Sequence, residues 1–228
     1  MNRLFFLKKL FGRKKFKTYL EIGVFRGRVF FSVPAQNKIA VDPEFRFTTF
    51  QKAKKVFRRF SNLWAKLYEE TSDDFFINDA PKLFQKSKVD VCLVDGMHEY
   101  QFALRDIENS LKFLQKGGVI LVHDCNPVTK EASVNFEEYK NRGCVRDWNG
   151  DVWKAIVHLR SLRDDINVFV LDCDQGLGIV TFGKPENQLR FTREDIAALT
   201  YEQLNENRKE WLNLKEPSYF FEYFGMKN

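Results

Sequence analysis

The sequence has few of the residues that define several common protein classes. Only four cysteines occur among 228 residues, at positions 92, 125, 144 and 173, and their wide spacing fits neither a zinc module nor a disulfide scaffold. No apolar run approaches the length of a membrane-spanning helix, and the amino terminus lacks the apolar stretch and cleavage site of a signal peptide. We therefore expect a soluble protein with reduced thiols and a cytoplasmic localisation.

Acidic residues are absent from residues 1–17, which hold seven basic side chains. The formal net charge of +6 comes from this segment, because the remaining residues carry 30 basic and 31 acidic side chains. A nucleic-acid enzyme is expected to carry its positive charge around the active cleft, so nucleic acid is an unlikely partner. The segment predicts a short basic amphipathic helix that makes a peripheral membrane contact or packs beside the first strand, or else a frayed terminus.

Apolar strand-like runs alternate with helical stretches along the rest of the chain. This alternation predicts an α/β fold, a doubly wound Rossmann-like seven-stranded mixed sheet with helices on both faces and a C-terminal helical extension. The expected division is 1–17 for the basic segment, 18–185 for the main domain and 186–228 for the extension. The expected strands are 18–24, 38–41, 65–69, 89–94, 119–123, 167–171 and 178–182, and the expected helices lie near 47–60, 73–86, 99–115 and 151–163.

The first strand runs into a turn with glycines at 23 and 27, in the pattern Glu21-x-Gly-x-x-x-Gly. Glycine permits positive φ and close approach of a ligand to the backbone. The second glycine of the dinucleotide-binding pattern Gly-x-Gly-x-x-Gly is missing, which disfavours a nicotinamide cofactor. The second strand ends in Asp42, about 20 residues after the glycine turn, where an acid is placed to bind ribose hydroxyls.

Two further strands end in ionisable residues. The run 89–94 is followed by Asp95 and His98, and the run 119–123 delivers His123 and Asp124. The carboxyl ends of parallel strands meet at one edge of a sheet, and ligands bind at that edge. These groups therefore predict a reaction centre with bases and a candidate metal site.

These motifs together resemble the class I S-adenosylmethionine-dependent methyltransferases. The chain is most similar to the small metal-linked O-methyltransferases that include macrolide-sugar and cephalosporin-tailoring enzymes. The resemblance covers roughly residues 18–183 and rests on Glu21-x-Gly23-x-x-x-Gly27, Val41-Asp42-Pro43, Ser72-Asp-Asp-Phe-Phe76, Asp95-Gly-x-His98-x-Tyr100 and Gly117-Gly118 with His123-Asp124. The block Gly150-Asp-Val-Trp-Lys154 resembles a bacterial branch of this group and has no biochemical role attached to it.

The resemblance implies S-adenosylmethionine as cofactor. The residues it places at the cofactor are Glu21, Gly23, Gly27, Asp42, Ser72, Asp73 and Asp95. It implies His98 as the catalytic base, with Asp95 and His123 as further catalytic groups. The alternative for His98 is a histidine that caps the following helix or packs against Tyr100.

The relatives bind a divalent ion through the acid matching Asp95 and an acidic pair after the fifth strand. That pair is His123 and Asp124 here. Magnesium prefers oxygen ligands, whereas two carboxylates and an imidazole better suit manganese, iron or zinc. We therefore expect a Mg²⁺ or Mn²⁺ site at Asp95, His123 and Asp124, or loss of the metal with His123 as a second base or an orienting group.

The leading hypothesis is methyl transfer to a hydroxyl of a small molecule, a sugar or glycan precursor. Trp153 and Lys154 either line the acceptor pocket or, alternatively, open a helix with Asp151 as its N-cap and the indole in the core. A second hypothesis is methylation of a nucleic acid or protein anchored by the basic segment. A third is a non-catalytic cofactor-binding partner protein. A homo-oligomer is compatible with each of them.

Overall fold

The computed structural model describes residues 1–12, 15–143 and 148–227, except for the side chain of Arg58. These residues fall into two compact units. The N-terminal unit comprises Asn2–Gly96 and Asp106–Ile120, and the C-terminal unit comprises Met1, Met97–Arg105 and Leu121–Asn228. This division differs from the expected segments 1–17, 18–185 and 186–228, which stay a prediction about sequence organisation.

The N-terminal unit begins with α1 (Arg3–Gly12) and continues through alternating strands and helices. They are β1 (Thr18–Ile22), β2 (Asn37–Val41), α2 (Thr49–Arg58), β3 (Lys66–Tyr68), α3 (Ser72–Asn78), α4 (Ala80–Leu83) and β4 (Val89–Val94). β1 pairs in parallel with β2 and β4, and β2 pairs in parallel with β3. Every residue of β1 and β4 is buried, as expected for strands in the middle of a parallel sheet.

Helix α1 packs its apolar side into the N-terminal unit. Phe6, Leu7, Leu10 and Phe11 are buried, and the Phe11 ring contacts the Tyr19 ring edge-on at 5.8 Å. This arrangement favours the alternative in which the segment packs beside the first strand. A membrane contact through the same apolar face would require α1 to leave the unit.

Two elements link the units. Helix α5 (Tyr100–Phe113) is followed directly by β5 (Leu114–Val122). The C-terminal unit then adds α6 (Phe136–Asn141), α7 (Val152–Leu162), β6 (Ile166–Leu171), β7 (Leu177–Phe182), α8 (Arg193–Ala198), α9 (Tyr201–Trp211), β8 (Leu214–Lys215) and α10 (Tyr219–Tyr223). β6 and β7 form an antiparallel hairpin, and capping boxes at Thr192 and Thr200 begin α8 and α9.

The strand order is β3-β2-β1-β4-β5-β7-β6-β8, so the predicted mixed α/β sheet is confirmed. The sheet has eight strands rather than seven, because the two-residue strand β8 pairs in parallel with β6. The helix expected over 73–86 is divided into α3 and α4, with Pro81 in the first turn of α4, where a missing N–H is tolerated. No helix of the described residues has the length and apolar character needed to cross a membrane.

Candidate functional site

The carboxyl ends of four strands in the N-terminal unit bring most of the predicted cofactor residues to one edge. Ile22 pairs with both Val41 and Val94, and Val41 pairs with Tyr68. The residues that follow these partners are Gly23, Asp42, Asp95 and Glu69. Ser72 and Asp73 come next after β3, in the first turn of α3. The parallel register therefore produces the edge that the motifs predicted.

Gly23 has a φ of +81° and lies directly against the chain after β4. A Cβ atom built on Gly23 would lie 2.0 Å from the carbonyl oxygen of Asp95 and 2.6 Å from the Cα of Gly96. The glycine is thus required by the close approach of two backbone segments. Gly27 has a φ of +63°, which favours glycine, and a Cβ there would lie 2.6 Å from the ring of the Phe31 side chain.

The Asp42 carboxylate organises the glycine turn. Its Oδ2 accepts a hydrogen bond from the Phe25 amide at 2.7 Å, and its Oδ1 accepts one from the Glu44 amide at 2.8 Å. Each oxygen keeps a second lone pair that can accept from a hydroxyl. Asp42 therefore has the geometry to hold the turn in place and to bind a diol.

Glu21 is almost fully buried and accepts a hydrogen bond of 2.5 Å from the Tyr19 hydroxyl. Burial raises the pKa of its carboxyl from 4.5 to about 8, although the Tyr19 hydroxyl opposes the shift. The folded state therefore binds this proton more tightly than the unfolded chain does. Its burial assigns Glu21 a place in the interior of the unit, and its predicted contact with the cofactor stays a prediction.

The raised pKa of Glu21 predicts that stability falls as pH rises from 4.5 to about 8, because the folded state must give up a proton that the unfolded chain has already lost. Glu21→Gln removes this titration. We expect the variant to gain on the order of a few kcal/mol over the wild type on going from pH 5 to pH 8.5, measured by urea denaturation. A constant difference between the two proteins across this window would contradict the assignment.

Asp95 forms an ion pair with Arg3 of α1, with 3.2 Å between Nε and Oδ2. Sequence reasoning assigned Arg3 to a basic appendage and therefore missed this contact. A guanidinium at this carboxylate satisfies the negative charge that was expected to bind a metal. The predicted roles of Asp95 in catalysis, cofactor binding and metal binding stay predictions.

In the C-terminal unit, His98 is held by two contacts from different parts of the chain. Its Nδ1 lies 2.9 Å from the carbonyl oxygen of Trp148, and its Nε2 lies 3.1 Å from Oδ2 of Asp124. A carbonyl only accepts hydrogen bonds, so Nδ1 carries a hydrogen and Nε2 is the nitrogen that can take up a proton. The amide of Tyr100 at the start of α5 donates to Asp151 rather than to His98, and the role of His98 as a base stays a prediction.

Asp124 is buried between two histidines. Its Oδ2 also lies 2.8 Å from Nδ1 of His123, whose Nε2 is 3.5 Å from Asp174. Its Oδ1 accepts a hydrogen bond from the Asn149 side chain at 2.8 Å. Asp124 has a φ of +61°, a conformation that costs a non-glycine residue energy and is often found at functional sites.

The contacts of residues 148–151 give a structural role to the start of the block Gly150–Lys154, which had no role assigned from the sequence. A Cβ atom on Gly150, which has a φ of +59°, would lie 1.6 Å from the His98 carbonyl oxygen. On either side, Asn149 binds Asp124 and Asp151 accepts from the Tyr100 amide at 2.6 Å. The block therefore braces the His98 turn.

An aromatic cluster lies beside His98. The Trp148 indole is 5.1 Å from the His98 ring, stacks on Tyr139 at 4.8 Å and contacts Phe136 at 5.4 Å. Trp148 was missed by sequence reasoning, which chose Trp153 instead. An aromatic residue two positions before the Gly150 block was the available signal.

Trp153 is fully buried on α7, and the Lys154 ammonium donates to the Ala197 carbonyl at 2.9 Å. The core-packing alternative is therefore favoured for Trp153. Asp151 precedes α7 but makes no side-chain capping bond to it. A role for Trp153 and Lys154 at the acceptor stays a prediction.

The strand order and the alternation of strands and helices define a Rossmann-like α/β protein. Residues 20–125 match a family model described as a methyltransferase domain. The fold is shared with the O-methyltransferase TomG of Streptomyces achromogenes, solved with S-adenosylmethionine (14% identity, TM-score 0.56, 77% of each chain covered). It is also shared with an O-methyltransferase of Bacillus cereus in complex with S-adenosylhomocysteine (14% identity, TM-score 0.55, 78% of each chain covered).

Among curated proteins, the chain is 29% identical to the uncharacterised protein y4gI of Sinorhizobium fredii over 126 residues. This match covers 55% of the chain and spans 11% of that relative's length. The comparisons confirm the predicted resemblance to class I S-adenosylmethionine-dependent methyltransferases and the α/β fold expected of them.

Proposed function

We propose that this protein is an S-adenosylmethionine-dependent O-methyltransferase that acts on a hydroxyl of a small molecule. The observation that carries the proposal is the orientation of His98, whose Nδ1 is fixed by a backbone carbonyl while its Nε2 lies beside Asp124. The match of residues 20–125 to a methyltransferase domain supplies the reaction class.

The cofactor site is proposed at the edge of the N-terminal unit. Gly23 and Gly27 shape the turn beside the methionine part, and Asp42 accepts hydrogen bonds from the ribose hydroxyls. Ser72 and Asp73, in the first turn of α3, follow at the adenine end. The close approaches at the two glycines, to backbone at Gly23 and to the Phe31 ring at Gly27, support this assignment, because they leave no room for a side chain in the turn.

Methyl transfer forms a bond between the acceptor oxygen and the methyl carbon, while the carbon–sulfur bond breaks and the sulfonium becomes a thioether. The acceptor proton passes to Nε2 of His98, and the imidazolium that forms is stabilised by Asp124 at 3.1 Å. Asn149 and His123 hold Asp124 in position through hydrogen-bond contacts. The proton thus moves onto a base whose tautomer is already set.

The donor set in the C-terminal unit fits a divalent ion. His98 has the arrangement common in metal-binding histidines, with one ring nitrogen hydrogen-bonded to a carbonyl and the other beside a carboxylate. With a metal bound, His98 and Asp124 would hold it, and His98 would then act as a ligand instead of the base, with Asp95 and His123 as the further predicted ligands. A bound Mg²⁺ or Mn²⁺ would lower the pKa of the acceptor hydroxyl.

The acceptor is proposed to be a sugar or glycan precursor, and Trp148 is the residue that supports this class. Its indole lies beside the base, and aromatic faces pack against the apolar faces of sugar rings. The nucleic-acid or protein alternative, anchored by the basic segment, is weakened by the packing of α1 into the N-terminal unit.

Trp148→Ala is expected to raise KM for the acceptor by about fivefold while leaving the affinity for S-adenosylmethionine unchanged, since stacking contributes on the order of 1 kcal/mol. Trp148→Phe, which keeps an aromatic face, should recover most of the loss. Initial rates at varied acceptor concentration measure both effects. An unchanged KM in Trp148→Ala would remove Trp148 from the acceptor site.

The experiment that tests the proposed function is a methyl-transfer assay that follows S-adenosylhomocysteine release over panels of sugars, nucleotide sugars, RNA and protein substrates. We expect turnover with the sugar panel, and none with the macromolecules. Lys8→Gln/Lys15→Gln replaces exposed cations of the basic segment and should leave turnover unchanged. Turnover only with RNA or protein, lost in this variant, would contradict the proposal, as would cofactor binding without any methylated product.

A further inference from the structure

Helix α2 and the 3-10 turn at Phe60–Trp64 present large apolar side chains to solvent. Five of them are 55–88% exposed, and they are Phe50, Phe57, Phe60, Leu63 and Trp64. Phe50 and Phe57 are two helical turns apart and therefore lie on the same side of α2. Monomeric proteins rarely expose such a concentration of apolar surface without a partner.

The outward orientation of this segment is fixed by Asn62, which is fully buried. Its amide nitrogen donates to the carbonyl oxygens of Phe31 at 3.1 Å and Lys55 at 2.8 Å. Its oxygen accepts a hydrogen bond of 2.6 Å from the ammonium of Lys38. Because Asn62 points inward and is held by three contacts, its neighbours in the turn are kept at the surface.

The same segment is strongly basic. Residues 45–68 contain no acid and seven basic residues, which are Arg46, Lys52, Lys54, Lys55, Arg58, Arg59 and Lys66. The Lys54 ammonium lies 4.5 Å from the centre of the Phe50 ring, so positive charge and apolar surface are interleaved. This local excess is hidden in the overall composition, since the chain outside residues 1–17 is nearly neutral.

A basic cavity of about 440 Å³ opens beside α2. Four cations line it, Arg26, Arg28, Arg46 and Lys55. Within the part of the chain that the structure describes, Arg46 pairs with Glu44, whereas no carboxylate forms an ion pair with the other three. Guanidinium and ammonium groups in this arrangement suit an anionic group such as a phosphate.

We propose that α2, the Phe60–Trp64 turn and this cavity form a docking surface for an anionic phospholipid bilayer. The aromatic and leucine side chains enter the interface, and the cations contact lipid phosphates. Leu63 offers no flat face for stacking on a nucleic-acid base, which favours a lipid surface over RNA. A symmetric contact with a second copy would bring like charges together.

The test is flotation of the full-length protein with vesicles of phosphatidylcholine alone or mixed with phosphatidylglycerol. We expect binding to the anionic vesicles that weakens with salt and falls about tenfold or more in Phe57→Ser/Trp64→Ser. The matched control Phe102→Ser/Val128→Ser replaces two exposed apolar residues on other elements and should bind like the wild type. Lys52→Gln/Lys54→Gln should weaken binding, whereas Lys8→Gln/Lys15→Gln in the basic segment should not.

Several results would overturn the proposal. Equal binding of the wild type to the two vesicle types would contradict the proposal. Binding that is unchanged in both the apolar and the charge variant would contradict it as well. Self-association that depends on Phe57 and Trp64, without vesicle binding, would assign the surface to a second copy. Binding of single-stranded RNA that is lost in the same variants, again without vesicle binding, would assign it to nucleic acid. Thermal melting of each variant shows that the fold is retained, and the charge variant keeps the test decisive if the apolar variant fails to fold.

Discussion

His98→Asn is expected to lower kcat by about 10²–10⁴-fold, the usual contribution of a positioned general base. Asparagine can still donate a hydrogen bond to the Trp148 carbonyl, which now lies 2.9 Å from Nδ1 of His98. It lacks a nitrogen that can accept a proton in the place of Nε2. The variant therefore separates the structural contact of His98 from its catalytic one.

The affinity for S-adenosylhomocysteine should be unchanged in His98→Asn, because Gly23, Gly27 and Asp42, which are proposed to hold the cofactor, follow other strands. His158→Gln is the matched control, since His158 is a buried histidine of the same unit whose Nδ1 contacts the Tyr100 hydroxyl at 2.6 Å. The kcat of His158→Gln, calculated per folded molecule, should stay close to that of the wild type. A His98→Asn enzyme with wild-type kcat would show that another group takes the acceptor proton.

Gly23→Ala is expected to destabilise the protein by more than about 4 kcal/mol and to abolish cofactor binding. A Cβ atom at this position would lie 2.0 Å from the Asp95 carbonyl oxygen, so the chain after β1 or the chain after β4 must move. Both segments belong to the edge where the cofactor is proposed to bind. Urea denaturation and titration with S-adenosylhomocysteine measure the two effects.

Gly117→Ala separates the steric effect from the conformational one. Gly117 has a φ of +83°, close to the +81° of Gly23, but nothing lies within 4 Å of the position of its Cβ. Only the cost of the left-handed conformation remains, about 1–2 kcal/mol. Equal destabilisation by Gly23→Ala and Gly117→Ala would mean that the close approach to Asp95 has no energetic consequence.

Local patterns were sufficient to predict most of the fold. The strand over 89–94 and the helix near 99–115 agree with β4 and α5, because continuous apolar runs and an amphipathic stripe are local signals. The strand expected at 119–123 begins earlier, at Leu114, since the glycines at 117 and 118 lie within β5 rather than in a turn before it. β8 has two residues, too few to show a period in the sequence.

The site was predictable only where motifs follow strands. His98 and Asp124 come after β4 and β5, so their convergence follows from strand order. The contacts of Arg3 with Asp95 and of Trp148 with His98 join residues 92 and 50 positions apart, and no pattern in one sequence reveals them. The exposed aromatic residues of α2 were also missed, because an amphipathic helix is expected to bury its apolar side.

Cofactor binding is tested most directly by calorimetric titration of the protein with S-adenosylmethionine, S-adenosylhomocysteine and NAD, each with and without Mn²⁺. We expect both sulfur nucleosides to bind with dissociation constants on the order of micromolar, which corresponds to about 8 kcal/mol. NAD should not bind, because the turn lacks the second glycine of the dinucleotide pattern. Failure of both sulfur nucleosides to bind under either condition would contradict the assignment of the glycine turn and, with it, the proposed methyl transfer.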